Sequence, residues 1–353
     1  MNYKDTLFFI GKCLTITHEK HNRFLVEEQL KKGNINWDNI IKISTSHYVF
    51  PALYCNLKRV DFLKYLPNDL VEYMKYITDL NRERNQQIIE QAKEINELLT
   101  SKGITPIFLK GTGNLLEGLY DDIAERMVGD IDFLVEKNLA DEANKILVSS
   151  GYTEKISELF DDHRHLPRIV NPKRIAAIEI HKEMLVSSKA TFFNYDTVAP
   201  TLQETKNIHT LSTSDKIKLT IFSKYINDDG YTLRSINLKV AYDVFLLGNK
   251  LTSDFIIEES QLSKQLKAGL KINTSVLSKP KHIPELNDAF SNQYYSDFLK
   301  YLTSTKNTTK KYLWFSKRLP ILKRLFYKKS YFKFVFSRLT DINWYRRKFK
   351  PNS

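Results

Sequence analysis

Two aspartates separated by one residue inside an apolar run constrain this chain more than any other feature. Asp130 and Asp132 alternate with Ile131 and Phe133 in residues 130–135. Side chains two residues apart point to the same face of a β-strand, so the pattern predicts a strand whose carboxylates project together while its apolar side chains face a core. Adjacent carboxylates repel each other at neutral pH, and a divalent cation removes that repulsion. The run therefore predicts a metal site on one face of a buried strand.

A glycine-containing turn precedes this strand. The residues that follow the apolar run 104–109 are Lys110, Gly111, Thr112 and Gly113. Glycine lets a phosphate approach the backbone at a helix N-terminus, and the Thr112 hydroxyl offers a further contact. Lys110 and Arg126 are suitable charge partners for a triphosphate. The alternative for both bases is ion pairing with the acidic residues at 121–125, and the alternative for the glycines is an ordinary strand-to-helix turn.

A second alternation of apolar and polar residues follows about 50 positions later. Residues 176–180 predict a third strand of the core, and the polar residues Glu179 and His181 fall on one face of it. A carboxylate on that face is a candidate third acid for the metal site. The alternative is a charge on an edge strand. We expect His181 to support the site through a hydrogen bond rather than as a ligand.

Together these residues resemble the polymerase-β-like nucleotidyltransferase superfamily, and more closely a bacterial subgroup known only as nucleotidyltransferase family proteins. The positions that match the subgroup pattern are Leu109, Lys110, Gly111, Tyr120, Arg126 and residues 130–135. The likeness of these motifs extends over roughly residues 105–185, with vaguer likeness on both flanks. The turn at Gly111 departs from the Gly-Ser form of the wider superfamily, and Glu179 stands where Asp is frequent.

The resemblance implies an enzyme that moves a nucleoside monophosphate from an NTP to a hydroxyl acceptor. It implies two Mg²⁺ ions held by Asp130, Asp132 and Glu179, the last as metal ligand or as general base. The positions that match nucleotide-binding residues are Lys110, Gly111, Thr112, Gly113 and Arg126. Subgroup members often occur beside genes for surface polysaccharides or peptide natural products, which favours a sugar or small-molecule acceptor over RNA or protein. The rival classes are a catalytically weak binding or regulatory protein and a membrane-surface adaptor.

Two further groups of polar residues are candidates for the same site. Residues 161–167 contain two acids and two histidines without a spacing typical of zinc sites, so they predict a loop near the site with His165 as a candidate contact. Asp243 lies among apolar residues of a predicted helix. Both a buried polar anchor and a role in the site are compatible with that position.

Periodicity predicts an α+β fold in which a small mixed-sheet core is flanked by helical regions and followed by a basic helical tail, and the resemblance implies that this core is the nucleotidyltransferase core. Residues 1–102 form the N-terminal helical region, 103–185 the core, 186–304 a second helical region and 305–353 the tail. The N-terminal region ends in one long helix or two, from about residue 68 to residue 101. Residues 214–227 and 238–248 are the clearest helices of the second region.

The net charge of +13 is carried by the tail. Residues 305–353 contain 15 Lys and Arg and one acid, while the rest of the chain has 39 basic and 40 acidic residues. Basic pairs among aromatic residues suit an interfacial helix on anionic lipid or contact with single-stranded RNA. The third interpretation is a solvated extension whose aromatic residues pack on the body. Charge therefore gives no argument for nucleic-acid binding by the body itself.

Several features bear on the cellular location. Only two cysteines, Cys13 and Cys55, are present, which favours a reducing compartment over a disulfide framework. The N-terminus lacks the pattern of a signal peptide, and no run of about 18 apolar residues occurs. We expect a cytoplasmic protein, with the tail offering attachment to the inner face of the membrane.

Overall fold

The computed structural model describes residues 1–154 and 163–303, with residues 332–333 and 336–337 of the tail. Over the first two ranges the chain forms 13 α-helices and one mixed sheet of seven strands, which confirms the α+β class. The predictions for the basic tail fall on residues that are, apart from those four, outside the described part. Among the described helices, none has the length and apolar character needed to cross a bilayer.

Five helices make up the N-terminal region, as the periodicity predicted. They are α1 (Tyr3–Cys13), α2 (Lys20–Lys31), α3 (Trp37–Ser46), α4 (Phe50–Arg59) and α5 (Asn68–Thr100). The last is one continuous helix of 33 residues, and its buried side chains recur at helical spacing. It ends where Gly103 adopts left-handed backbone with φ of 78°.

The seven strands form one sheet in the order β3-β4-β5-β2-β1-β7-β6. They are β1 (Ile107–Phe108), β2 (Asp130–Leu134), β3 (Thr153–Glu154), β4 (Ile169–Val170), β5 (Ala177–His181), β6 (Gln203–Thr205) and β7 (Ile208–Thr210). Strands β2 and β5 are parallel neighbours at the centre of the sheet, and β1 runs antiparallel to β2. The helices of the core are α6 (Lys110–Leu116) and α7 (Ala140–Ser149).

The two central strands bury one face and leave the other to polar residues. Ile131, Phe133, Ile178 and Ile180 are completely buried. Asp132 pairs in register with Glu179, and paired residues of neighbouring strands project from the same face. The sheet therefore sets the predicted carboxylates side by side.

The segment before β2, residues 121–129, is partly buried and is anchored to α5. Asn81 and Asn85 of α5 donate side-chain hydrogen bonds to its backbone, at the carbonyls of Ala124, Ile123 and Arg126. These side-chain amides satisfy backbone carbonyls that the segment cannot pair itself, since its own regular structure is limited to one 3₁₀ turn. The hydrogen bonds to α5 therefore fix its position. This anchoring fixes the start of β2.

The second helical region contains α8 (Tyr195–Val198), α9 (Thr213–Phe222), α10 (Gly230–Leu233), α11 (Leu238–Lys250), α12 (Ser263–Val276) and α13 (Ala289–Thr303). The helical interpretation of residues 186–304 needs one correction, because strands β6 and β7 form a hairpin that joins the sheet beside β1. Its two-residue turn, Lys206 and Asn207, has positive φ at both positions. Such turns favour Asn-Gly or Asp-Gly, and this turn contains no glycine, so the sequence did not predict a hairpin here.

Residues 1–154 and 164–303 belong to one compact unit, which contains the described parts of all three predicted regions. The domain boundaries proposed from the sequence stay predictions.

Candidate active site

Three side chains converge on the polar face of the central strands. One ligand atom each of Asp132, Glu179 and His181 lies within 4.8 Å of the others. His181 Nε2 is 2.8 Å from Asp132 Oδ1 and 3.6 Å from Glu179 Oε2. The pairing of β2 with β5 places all three on one face, so this cluster follows directly from the strand register.

Asp130 lies outside this group and contacts an arginine that the sequence did not single out. The guanidinium of Arg168 is 2.9 Å from Asp130 Oδ2 and 2.6 Å from Glu179 Oε1. Its side chain is half exposed, so it has solvent on one side. The candidate metal group therefore includes His181, which we had expected only as a supporting partner. Asp130 is linked to the group indirectly, because Arg168 contacts both Asp130 and Glu179.

The three carboxylates of the site have different protonation equilibria. Burial raises the pKa of Asp130, Arg168 opposes this, and the charges of Glu179 and Asp132 add to the rise. Burial alone would also raise the pKa of Asp132, but Lys110 and His181 outweigh it and hold that pKa well below its usual range. For Glu179, the imidazole of His181 outweighs burial and the Asp132 charge, and the pKa is lowered to about 2.

Opposite pKa directions predict opposite effects on stability in metal-free buffer. At neutral pH the Asp130 charge is unfavourable, so Asp130→Asn should raise the free energy of unfolding. The Asp132 charge is favourable, so Asp132→Asn should lower it, each by about 1 kcal/mol. The Asp132 contribution is present above its unfolded pKa near 4 and is lost as pH falls below that value. Urea unfolding of both variants at pH 7 and pH 3.5 measures this, and shifts of equal sign at pH 7 would refute it.

His165 lies against the same group. Its Nε2 is 3.6 Å from Glu179 Oε2, and its ring meets that of His181 edge to face at 5.2 Å between centroids. Burial lowers the pKa of His165 to about 4, so the imidazole is neutral at pH 7. The predicted proximity of His165 to the site is confirmed. Asp161 and Asp162 of the same cluster are outside the described residues.

Lys110 stands at the edge of the cluster, and its Nζ is 2.6 Å from Asp132 Oδ1. It adopts left-handed backbone with φ of 51°, which is unusual for a residue with a side chain.

The two glycines of the turn are tightly packed. A Cβ on Gly111 would lie 2.9 Å from Val128 Cγ2 and 3.3 Å from Arg126 Cζ. A Cβ on Gly113 would lie 2.6 Å from the Phe108 carbonyl oxygen. Both glycines are therefore required by close packing of the turn.

Thr112 and Arg126 have protein partners of their own. The Thr112 side chain is buried, and its hydroxyl donates to the Asp130 carbonyl oxygen at 3.2 Å. The Arg126 guanidinium is buried against Asp243, with Nη2 2.9 Å from Oδ2. The Tyr120 hydroxyl donates to the same carboxylate at 2.7 Å. Ion pairing of Arg126 with residues 121–125 is thus wrong, because its partner comes from α11, and Asp243 is a buried polar anchor.

An open cleft, here called the carboxylate cleft, borders the site at Asp130 and Asp132. Its charged lining residues are Lys110, Arg126, Asp130, Asp132 and Lys239, and Tyr48, Gly111 and Gly129 line it as well. Lys239 Nζ lies 4.8 Å from the centre of the Tyr48 ring. Burial, together with the charge of Arg126, lowers the pKa of Lys239 to about 8. Sequence reasoning missed Lys239 and Tyr48, since neither belongs to a motif or to the strand pattern.

The donor atoms of the cluster fit a divalent cation. Two carboxylates and one imidazole are ligands that such ions accept in proteins, with Mg²⁺ favouring the oxygens and Mn²⁺ accepting the nitrogen as well. In an octahedron with bonds near 2.1 Å, adjacent ligand atoms are about 3 Å apart. Two of the three separations are 2.8 and 3.6 Å, and all three ligand atoms lie within 4.8 Å of one another, so a small shift brings them to that distance. Asp132, Glu179 and His181 thus form a candidate metal site beside a cleft lined by cationic side chains.

A protein-family model described as an uncharacterised nucleotidyltransferase matches residues 33–268, which are 236 of the 353 residues. The matched region includes all seven strands and every side chain of the candidate metal site. No curated protein and no solved structure matches the chain.

Proposed function

The chain belongs to this nucleotidyltransferase family, and we propose that it moves a nucleoside monophosphate from an NTP to a hydroxyl acceptor with the help of Mg²⁺. One observation carries the proposal. Asp132, Glu179 and His181 are grouped as candidate metal ligands, and Asp132 lines the carboxylate cleft, where Lys110 and Lys239 supply positive charge. A triphosphate with bound Mg²⁺ complements such a cleft, because carboxylates hold the metal and lysines hold the phosphates.

In the proposed reaction an acceptor hydroxyl oxygen attacks the α-phosphorus. A new oxygen–phosphorus bond forms, the bond from the α-phosphorus to the bridging oxygen of the β-phosphate breaks, and pyrophosphate leaves. The hydroxyl proton is released to solvent. Bound Mg²⁺, one or two ions, supplies charge neutralisation for the attacking and leaving oxygens. The protein contributes positioning and electrostatic stabilisation.

We assign Glu179 as a metal ligand rather than a general base. Its carboxylate oxygen lies within 4.8 Å of the candidate ligand atoms of Asp132 and His181. A general base works best when its pKa is near the operating pH, whereas the hydrogen bond with His181 helps to hold the pKa of Glu179 well below that range. A carboxylate of so low a pKa is fully ionised at neutral pH, which suits metal binding. Asp130 is the proposed ligand of a second ion, once Arg168 has moved away from it.

The proposed nucleotide contacts divide into direct and supporting groups. Lys110 and Lys239 contact the phosphates, and Gly111 and Gly113 let the turn pack closely beside them. Arg126 lines the cleft but is held by Asp243, so it contributes fixed positive charge. The Thr112 hydroxyl stabilises the start of β2 by its hydrogen bond to the Asp130 carbonyl oxygen.

Position-specific labelling tests the reaction. The protein is incubated with Mg²⁺, cell extract and each NTP, labelled in parallel at the α- or the γ-phosphate. We expect the α-label to enter an acceptor while the γ-label leaves as pyrophosphate. Transfer of the γ-label would indicate phosphoryl transfer instead. No transfer of either label from any NTP would favour the rival proposal, a binding or regulatory protein whose carboxylates are neutralised by its own Lys110 and Arg168.

Glu179→Gln should lower turnover roughly 10²-fold with little change in NTP affinity. The amide keeps the shape of the side chain but removes the charge that holds a metal ion. Raising the Mg²⁺ or Mn²⁺ concentration should recover part of the loss, since the defect is one of metal affinity. Steady-state kinetics over a range of metal concentrations measures this. A loss of stability with turnover per folded molecule preserved would instead make Glu179 a structural residue.

A further inference from the structure

A second cavity, here called the basic pocket, adjoins the carboxylate cleft. The two share Lys110, Arg126 and Lys239 as lining residues. The basic pocket is also lined by Arg164, Ser223, Lys224 and Asp228. A ligand in this pocket would therefore lie close to the candidate metal group, because Lys110 lines the pocket and also contacts Asp132.

The basic pocket carries positive charge that the described residues do not neutralise. Lys110 is paired with Asp132 and Arg126 with Asp243. In contrast, Arg164, Lys224 and Lys239 form no ion pair with any carboxylate in the described part of the chain. The other acid of the lining, Asp228, is exposed and has no ion pair there either. Three cations around one cavity favour an anion supplied by a ligand.

Two polar atoms of the lining lack a hydrogen-bond partner within the described residues. Arg164 Nε and Ser223 Oγ are both buried at the atom level and unsatisfied. Buried polar atoms of this kind are rare in folded proteins, and a ligand in the pocket is one source of a partner for them. A guanidinium N–H donates to an oxyanion, and a serine hydroxyl both donates and accepts. The pair suits a ligand that carries an anionic group beside neutral hydroxyls.

The basic pocket differs from the carboxylate cleft because its described lining holds no pair of free carboxylates that could share a metal: Asp228 is the one acid there without an ion pair. Asp243 is only 2% exposed, and Arg126 and Tyr120 already occupy it. An anion in this pocket is therefore bound directly by cationic side chains, whereas a triphosphate with its metal requires Asp130, Asp132 and their neighbours. The two cavities thus fit two different anionic ligands.

Building on the proposed function, we propose that the basic pocket binds the acceptor, and that the acceptor is a phosphate monoester of a polyhydroxyl compound. Arg164 and Lys224 hold its phosphate, and Ser223 contacts a hydroxyl. Because Lys110 and Lys239 line both cavities, a compound held there has its reactive hydroxyl towards the carboxylate cleft.

Calorimetric titration with inorganic phosphate tests this assignment on the full-length protein. The titration is run with Mg²⁺ and each of the four α,β-methylene ribonucleoside triphosphates in turn, and also without nucleotide. We expect phosphate to bind while a nucleotide is present. Lys224→Gln, and separately Arg164→Gln, should weaken phosphate binding about tenfold or more, since each removes a charge-assisted contact. Nucleotide binding should change less than about twofold, and Lys75→Gln, on the exposed face of α5, should change neither.

Two results would overturn the assignment and leave the proposed function standing. One is competition between phosphate and the bound nucleotide, or equal loss of nucleotide binding in Lys224→Gln, because the pocket would then belong to the nucleotide. The other is the absence of phosphate binding to the unmodified protein. If no nucleotide binds, the proposed function fails. Phosphate binding to the free protein that Lys224→Gln weakens would still support the pocket as an anion site.

Discussion

Asp132→Asn is expected to reduce nucleotide transfer by about 10³-fold. Asp132 is the one carboxylate of the site that contacts both His181, at 2.8 Å, and Lys110, at 2.6 Å. Asparagine keeps the size of the side chain but cannot supply a charged oxygen to a metal ion. It also releases Lys110 from its ion pair. Initial rates with labelled NTP, normalised to the folded fraction, measure the effect.

A matched substitution separates this effect from a general change of charge. Asp69→Asn removes one carboxylate from the exposed first turn of α5, far along the chain from the site, and should leave the rate unchanged. Asp132→Asn with native circular dichroism and a wild-type rate would remove Asp132 from the metal site.

Asp243→Ala should lower the free energy of unfolding by about 3–5 kcal/mol. The substitution leaves the Arg126 guanidinium buried without its carboxylate, and a buried unpaired charge is strongly unfavourable. It also removes the acceptor of the Tyr120 hydroxyl. Denaturant titration monitored by fluorescence measures the loss.

Asp297→Ala is the control for this prediction, because Asp297 pairs with Arg234 at 3.4 Å with both side chains partly exposed. That pair is expected to contribute no more than about 1 kcal/mol. Adding Arg126→Met to Asp243→Ala should recover part of the stability, since the double variant buries no unpaired charge. A loss below about 1 kcal/mol in Asp243→Ala would contradict the anchoring role.

The features that the sequence predicted depend on short-range patterns. The alternation around Asp130 and Asp132 has the period of a strand, and β2 spans it. The helix predicted from residue 214 begins at Thr213, after Ser212, whose side chain accepts from the Asp215 backbone N–H. The long periodic run after Pro67 became α5. In each case the residues that determine the element are neighbours in the chain.

The features that it did not predict depend on contacts between distant parts of the chain. Arg126 and Asp243 are 117 positions apart, and the sequence around either residue does not predict that the two form an ion pair. Arg168 follows a proline in an irregular segment, and Lys239 lies in the first turn of α11. Lys239 is brought to the site because Asp243 of the same helix is paired with Arg126, and Arg168 because the strand that follows it pairs with β5. Pairing His181 with Asp132 required the register of β5, which periodicity alone does not give.

The central claim is that Asp132, Glu179 and His181 bind a divalent ion together with an NTP. Anomalous diffraction from crystals grown with Mn²⁺ and a non-hydrolysable NTP tests it most directly. We predict a manganese peak within bonding distance of Asp132 and Glu179, with the Arg168 guanidinium withdrawn from Glu179 and the triphosphate beside Lys110. A bound nucleotide with no manganese at these residues, and Arg168 still joined to Asp130 and Glu179, would contradict the account.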